Sequence, residues 1–263
     1  MRQFFCEGGQ AVSHRPGDRV LLDEEESHHL RTVLRGGRDL ILNLTDGCGH
    51  RFTGRVAGGD KRRVGVEILT CADDPAEIAE PRLQLAVAVV KGKRFDWALE
   101  KAVELGVHHL LPLITDHGVI EPGQGKQQRW LGILKAALKQ SARSWLPAIE
   151  EPAPLADVLA RLTGPAWFGA APAEWPTGDP ARPVFSPAPP AEGPVPATLT
   201  VLIGPEGGWS AAETDALRRW GAAPLSCGPH ILRTETAAVA ALVVLQQWRA
   251  RWAAADESGS RGA

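Results

Sequence analysis

Two glycine-bearing loops in the last third of the chain carry the residue types that could build a ligand site. The first is Gly204-Pro205-Glu206-Gly207-Gly208. The second runs Cys227-Gly228-Pro229-His230-Ile231-Leu232-Arg233-Thr234-Glu235-Thr236. Each follows a short apolar segment and precedes a helical one, which is where α/β proteins place ligands. Glycines let backbone amides approach a ligand, and a helix start offers free N–H groups. Tight strand-to-helix turns are also glycine-rich for steric reasons, so it is the pair of loops at adjacent strand ends that points to a site. The spacing is neither G-x-G-x-x-G nor a P-loop, which argues against a dinucleotide-dependent oxidoreductase. Cys6, Cys48, Cys71 and Cys227 form no C-x-x-C pair, so buried thiols in a reducing compartment are expected rather than zinc or disulfides. His108 and His109 lack a Cys or carboxylate at ligand spacing, and no metal is expected.

The elements that must position these loops are legible as a change of texture along the chain. Up to about residue 75 the segments FFCE, RVLLD, DLILNLTDG, HRFTGRVAG and RRVGVEILTC have strand length and turn spacing, which predicts a small antiparallel barrel over 1–75. Within it SHHLRTVLR reads as a short helix, with Leu30, Val33 and Leu34 on one face and His28, Arg31 and Arg35 on another. The acidic, Pro-punctuated run DDPAEIAEP reads as a linker, placed at 76–82.

From 83 to 254 the pattern becomes α/β. LQLAVAVV is a continuous apolar run, as expected of a strand buried on both faces of a parallel sheet. FDWALEKAVELG follows as a helix with Asp96 as N-cap and Gly106 past its end, then VHHLLPLIT as a strand. A helix is expected from about 129 to 145, a shorter one at PLADVLARL and a strand at AWFGAA. The Pro-rich stretch 172–197 has no apolar period and reads as an insertion or long loop. TLTVLI and APLSC are strands, Ser210 and Glu213 predict a capping box at the helix AAETDALRRW, and the last helix is apolar nearly all round from Ala237 to Leu245, so it should be buried on more than one side. The tail 255–263 is expected to be disordered. Among the nine tryptophans, Trp97 and Trp130 are expected in the core.

A chain of 263 residues that is 44% hydrophobic and 23% charged is neither disordered nor fibrous. No apolar run reaches membrane-spanning length and MRQFFCEGGQ has no signal-peptide pattern, so a cytoplasmic protein without a membrane partner is expected. The net charge of −2 conceals local bias. Residues 28–66 hold eight Lys/Arg against three acids, and residues 91–145 hold nine against five. Basic segments in a neutral chain are either ordinary solvated faces or the footprint of a nucleic acid.

LIGPEGGWSAAE followed by CGPHILRTETAAVAAL, together with KGKRFDWALEKAVELGV and HHLRTVLR, resembles the RsmE family of 16S ribosomal RNA uridine N3-methyltransferases. The resemblance implies an α/β fold with two parts. One is a C-terminal SPOUT domain, trefoil-knotted, with a mostly parallel sheet and helices on both faces. The other is an N-terminal PUA-like β-barrel for RNA. It implies a homodimer, S-adenosylmethionine as cofactor, 16S ribosomal RNA or the small ribosomal subunit as partner, and methylation at N3 of uridine 1498 in the conventional numbering. Gly204, Glu206, Gly207, Gly208, Leu225, Gly228, Leu232 and Thr236 would then surround the cofactor, with the loop after AWFGAA. A non-catalytic RNA-binding protein on a SPOUT scaffold is the alternative.

Uracil N3 keeps an imide proton and is a poor methyl acceptor until it loses it. Transfer needs in-line placement, loss of that proton and stabilisation of charge on the flanking carbonyls. On this resemblance Arg233 is the candidate for the last role, or else a structural partner of Glu206 or Glu235. Glu235 is a candidate base, although a carboxylate in a first helical turn already has a dipole to stabilise. RNA contacts fall to His28, Arg31 and Arg35 in the barrel, and to Lys91, Lys93 and Arg94 after a strand end, with Lys139, Gln140 and Arg143 on the active-site side. The chain departs from the usual pattern at Val103, His117-Gly118, Lys139 and His230, which suggests positive charge relocated around the RNA site.

Overall fold

Residues 3–6, 14–33, 39–118, 126–170 and 195–259 are described by a computed structural model. The chain divides into two units, Met1–Ile78 with Leu134–Leu146, and Ala79–Ile133 with Pro147–Ala263. Leu34, Arg35 and the Pro-rich stretch as far as residue 194 lie outside the described residues.

The first unit contains β1 (Gln3–Phe5), β2 (Arg19–Leu21), α1 (Glu24–Val33), β3 (Ile41–Thr45), β4 (His50–Gly59), β5 (Val64–Asp73) and the single turn α2 (Pro75–Ile78). Its five strands form one sheet in the order β1-β3-β4-β5-β2. The expected antiparallel pattern holds except at β1, which pairs with β3 in parallel. Alternate residues of the strands and Leu30 of α1 point into a shared core with Phe4, Leu22, Leu44, Phe52, Val66 and Ile68.

The acidic linker is instead folded. Asp74 and Glu77 are buried and each has a cationic partner. Arg143 is 7% exposed and holds Glu77 with two hydrogen bonds, Nε to Oε1 at 2.8 Å and Nη2 to Oε2 at 2.6 Å. Asp74 accepts from Ser144 Oγ at 2.8 Å and Arg51 Nε at 2.6 Å. Gln3 Nε2 donates to the Arg143 carbonyl at 2.5 Å and Thr45 Oγ1 to that of Ser144 at 3.1 Å.

The second unit contains β6 (Arg82–Ala88), α3 (Lys93–Glu104), β7 (Val107–Ile114), β8 (Ala148–Ile149), β9 (Ala153–Pro154), α5 (Leu155–Leu159), β10 (Ala166–Gly169), β11 (Thr198–Ile203), α6 (Ala211–Trp220), β12 (Ala223–Leu225) and α7 (Thr234–Gly259). The remaining helix, α4 (Lys126–Gln140), has its first half here and its last residues in the first unit. The sheet runs β12-β10-β11-β6-β7-β8, with β9 also on β7, and every pairing is parallel. Leu83, Leu85, Ala86 and Val87 of β6 are fully buried, as a central parallel strand requires.

Several local expectations change. α3 starts at Lys93 after Gly92, so Asp96 lies inside the helix, where it pairs with Arg129 instead of capping. Gly106 does end that helix, with φ +82°. Trp130 is buried against Phe95, with ring centroids 4.9 Å apart, whereas Trp97 is 42% exposed under Lys101. α4 stops at Gln140 instead of 145, because the chain turns through Ala142 at φ +55° to deliver Arg143 and Ser144 to the buried acids. α7 remains helical to Gly259, past the expected start of disorder at 255. It buries one stripe, Ala238, Ala241, Leu242, Leu245 and Trp248, rather than being enclosed, and Val243 is exposed. Cys71 is exposed as well.

Because Glu77 answers a guanidinium that is nearly dry, Glu77→Ala is expected to lower unfolding stability by about 3 kcal/mol or more. The double variant Glu77→Ala with Arg143→Met should recover a large part of that loss. Urea denaturation of the four proteins in the cycle measures both.

Candidate functional site

Three adjacent parallel strands, β12, β10 and β11, end on the same side of the sheet, and the end of β10 with the loops leaving β11 and β12 lines a cavity of about 260 Å³. Gly169 and Ala170 come from the end of β10, Ile203 to Trp209 from β11, and Leu225, Cys227, Gly228 and the His230–Leu232 segment from β12. Thr234 and Ala237 of α7 complete the wall. Carboxyl ends of neighbouring parallel strands converge in this way because each strand must hand the chain to a helix on the same edge.

The loop after β11 is held from both sides. Behind Gly204 the Trp209 indole is so close that a Cβ there would lie 2.9 Å from the ring, so any larger residue would push the loop off its support. Trp209 is itself fixed, its Nε1 donating to the Gly169 carbonyl at 3.0 Å and thereby tying the β11 loop to the end of β10. Thr234 Oγ1 donates to the Gly204 carbonyl at 3.0 Å, adding a tie to the start of α7. The capping box is present, with Glu213 N donating to Ser210 Oγ at 3.1 Å and Ser210 N to Glu213 Oε2 at 2.9 Å, and it sets where the loop ends.

Of the residues expected around a cofactor, Gly204, Glu206, Gly207, Gly208, Leu225, Gly228 and Leu232 line the cavity, and Thr236 does not. Helical geometry explains the difference: Thr236 is exposed on the far side of the turn from Thr234 and Ala237, which take its place. Trp209, Ile203, Cys227, His230 and Ile231 also line it. Trp209 carries no signal in the sequence, since nothing in GGWS marks an indole that reaches back over Gly204.

Arg233 is exposed and stands between two wall residues, Leu232 and Thr234, without being on the wall itself. Of its two candidate structural partners, Glu206 is engaged by Arg94 in an ion pair. Glu235 is 8% exposed in the first turn of α7, and its Oε2 has no hydrogen-bond partner among the described residues. It too is off the cavity wall.

The basic residues part company. Lys91 and Lys93 are exposed, while Arg94 is half-buried beside Glu206. In the first unit His28 is exposed, with Nε2 3.5 Å from Thr32 Oγ1. Arg31 is exposed but occupied: it donates to the carbonyls of Asp60 (2.8 Å), Lys61 (2.7 Å) and Arg62 (3.3 Å). It therefore braces the turn between β4 and β5, which displays Lys61, Arg62 and Arg63. The Asp60 carboxyl within that turn accepts backbone N–H groups from Arg63 and Arg62, which hold it below the ordinary carboxylate range. Arg143 is the buried partner of Glu77, and Lys139 pairs with Glu26 on α1, so both depart from the RNA contacts expected of them. Gln140 is exposed at the end of α4.

His108 accepts from Leu83 N at 3.2 Å, and His109 faces Glu150 at 2.9 Å. Among the described residues no cluster of three or more His, Cys, Asp or Glu could hold a metal ion, and no helix is long and apolar enough to cross a membrane.

Cys227 sits on the wall, and burial pushes its thiol up to about 11. At pH 8 only about one thiol in ~1,000 would then be thiolate, the reactive form. Iodoacetamide at pH 8 should therefore modify exposed Cys71 well before Cys227, whose rate should climb steadily toward pH 11. Peptide mass mapping over time reads both.

Residues 78–246 match a family model described as an RNA methyltransferase domain, a span of more than half the chain. The chain is 29% identical over 223 residues to the ribosomal RNA small subunit methyltransferase E of a Synechocystis strain, covering 85% of this chain and 71% of that one. A Legionella pneumophila structure described as a methyltransferase with bound SAM superposes with a TM-score of 0.75 at 29% identity, covering 93% of this chain and 96% of the other. A ribosomal RNA small subunit methyltransferase E from Neisseria gonorrhoeae, bound to S-adenosyl methionine, does so with a TM-score of 0.75 at 27% identity over 94% and 97%.

Proposed function

The chain belongs to the RsmE family of RNA methyltransferases, and from that premise we propose that it methylates N3 of a single uridine in small-subunit ribosomal RNA, with S-adenosylmethionine as donor. The observation that carries this reading is the cavity built by the end of β10 and the loops after β11 and β12, in a chain two of whose solved relatives hold that cofactor.

The residues present suit the group. The wall is mostly backbone and aliphatic side chains, with Leu225, Ile231 and Leu232 able to cover an adenine face and the peptide groups of Gly204 to Gly208 able to meet its polar edge. At about 260 Å³ the cavity is slightly below the ~300–1,000 Å³ usual for small-molecule sites, so a compact, folded ligand suits it. When bound, the cofactor supplies an electrophilic methyl group on a sulfonium.

The chain's own residues have three tasks. Walls at Gly204, Trp209 and Thr234 fix the donor's position, and with it the direction from which N3 must approach. Arg233, exposed at the lip, has a planar fork suited to a uracil carbonyl oxygen as negative charge grows there. Glu235, buried off the wall, is better suited to stabilising the α7 N-terminus than to taking the N3 proton. Lys91, Lys93 and the braced Lys61–Arg63 turn supply the phosphate contacts, and His28 adds a polar one on the first unit. On the same reading the first unit is a PUA-like module, the second a knotted SPOUT domain, and the protein a cytoplasmic homodimer.

Mass-spectrometric mapping of methylated uridines in 16S RNA from a strain lacking the protein should show one N3-methyluridine disappear and return on complementation. An unchanged map refutes the reading. Arg233→Ala is expected to lower kcat by about 10²-fold, as for loss of an oxyanion donor, while calorimetry gives a cofactor Kd within about threefold of the parent. A Kd that rises as much as kcat falls would place Arg233 in binding instead.

A further inference from the structure

The turn after β7 reaches the glycine loop through a histidine. His117 Nδ1 lies 3.1 Å from both the Gly207 and the Gly208 carbonyl oxygens. Two acceptors facing one ring nitrogen require that nitrogen to carry hydrogen. We propose that His117 is a positioning residue for the cofactor: its Nδ1–H fixes the Gly207 and Gly208 peptide planes, and so sets the affinity of the loop for S-adenosylmethionine. This rests on the functional reading above for the identity of the ligand, but not for the loop contact itself.

Three observations make this a built contact. The turn carrying His117 is anchored on its own, by Gly118 N to the Thr115 carbonyl at 2.9 Å. It is also locked to the start of α6: Asp116 N donates to Glu213 Oε1 at 3.0 Å and Ser210 Oγ to Asp116 Oδ2 at 2.5 Å. Glu213 thus uses one oxygen for the capping box and the other for the β7 turn. Finally, His117 packs so tightly on the loop that a Cβ at Gly207 would sit 2.9 Å from the His117 Cβ, which only glycine permits.

The consequence follows from peptide geometry. Each peptide unit is planar and trans, so a carbonyl aimed at His117 turns the N–H of the next residue away from it. The Gly208 N–H is thereby presented to the Pro205 carbonyl, 2.9 Å away, closing the tight turn of the loop. The Trp209 N–H is turned away in the same manner, and its indole is the support behind Gly204. Without the imidazole both carbonyls are free to rotate, and the loop loses the shape that meets a ligand.

The test uses the full-length protein with His117→Ala, His117→Leu and His117→Asn. His117 is exposed, so none of these should alter the thermal midpoint. Calorimetry with S-adenosylmethionine should give Kd about tenfold higher for His117→Ala and His117→Leu, about the effect of one net hydrogen bond. His117→Asn, whose amide donates from nearly the same place, should recover most of the affinity. In turnover assays the Ala variant should raise KM for the cofactor with kcat little changed. Hydrogen exchange without ligand should show the Gly208 and Trp209 amides exchanging faster in the Ala and Leu variants, and α7 unaffected.

Parent-like binding by His117→Leu would show that bulk suffices and overturn the proposal, as would an Asn variant as weak as Ala. If the parent itself binds no S-adenosylmethionine, the functional reading fails. Exchange at Gly208 and Trp209 then decides the positioning role, and rates equal to the parent's in the Ala variant refute it.

Discussion

Backbone-to-side-chain closeness at Gly204 and Gly207 is the constraint on which the site depends. An indole lies behind the first and an imidazole behind the second, each so near that a Cβ would be 2.9 Å away. One support, Trp209, lies at the loop's own far end and is tied to the end of β10; the other, His117, extends from the end of β7. The loop is therefore pressed between its own indole and a neighbour that the parallel sheet has put in place. Its shape is a consequence of strand order, since β11 lies between β10 and β6, with β7 next to β6.

The same sheet explains why function concentrates at one edge. Parallel strands deliver their carboxyl ends together, so the end of β10 and the loops after β11 and β12 meet around one cavity. The capping box at Ser210 and Glu213 joins this arrangement to the β7 turn through the second carboxylate oxygen. One carboxylate thus serves a local helix start and a contact across the sheet, which makes the start of α6 a fixed reference for the ligand loop.

Charge follows a different logic. The chain's small net charge sums basic surfaces with acids, several of which are buried. Asp74 and Glu77 belong to a run that reads as an acidic linker, yet both are buried and answered by Arg51 and Arg143. A short acidic run between Pro residues looks the same in either case, because only the partner distinguishes them. The local basic surplus likewise divides into cations on display, such as Lys91, Lys93 and the turn after β4, and cations already engaged, such as Lys139, Arg143 and Arg94.

Periodicity, turn residues and capping patterns were enough to locate the strands of both sheets other than the two-residue β8 and β9, the start of α6, the end of α3 and the two glycine loops, since these depend on neighbours within a few residues. Seven of the eight residues assigned to a cofactor line the cavity for the same reason: they lie in those loops. Asp96 misled because a good N-cap residue was available three positions inside a helix that begins at Lys93. What only the tertiary structure decided is which side chains are committed elsewhere. Arg143 meets Glu77 across 66 positions, Lys139 meets Glu26 across 113, and His117 meets Gly207 across 90. Hydrogen bonds and ion pairs of that range carry no periodic trace in the sequence, because their geometry exists only once the chain has packed.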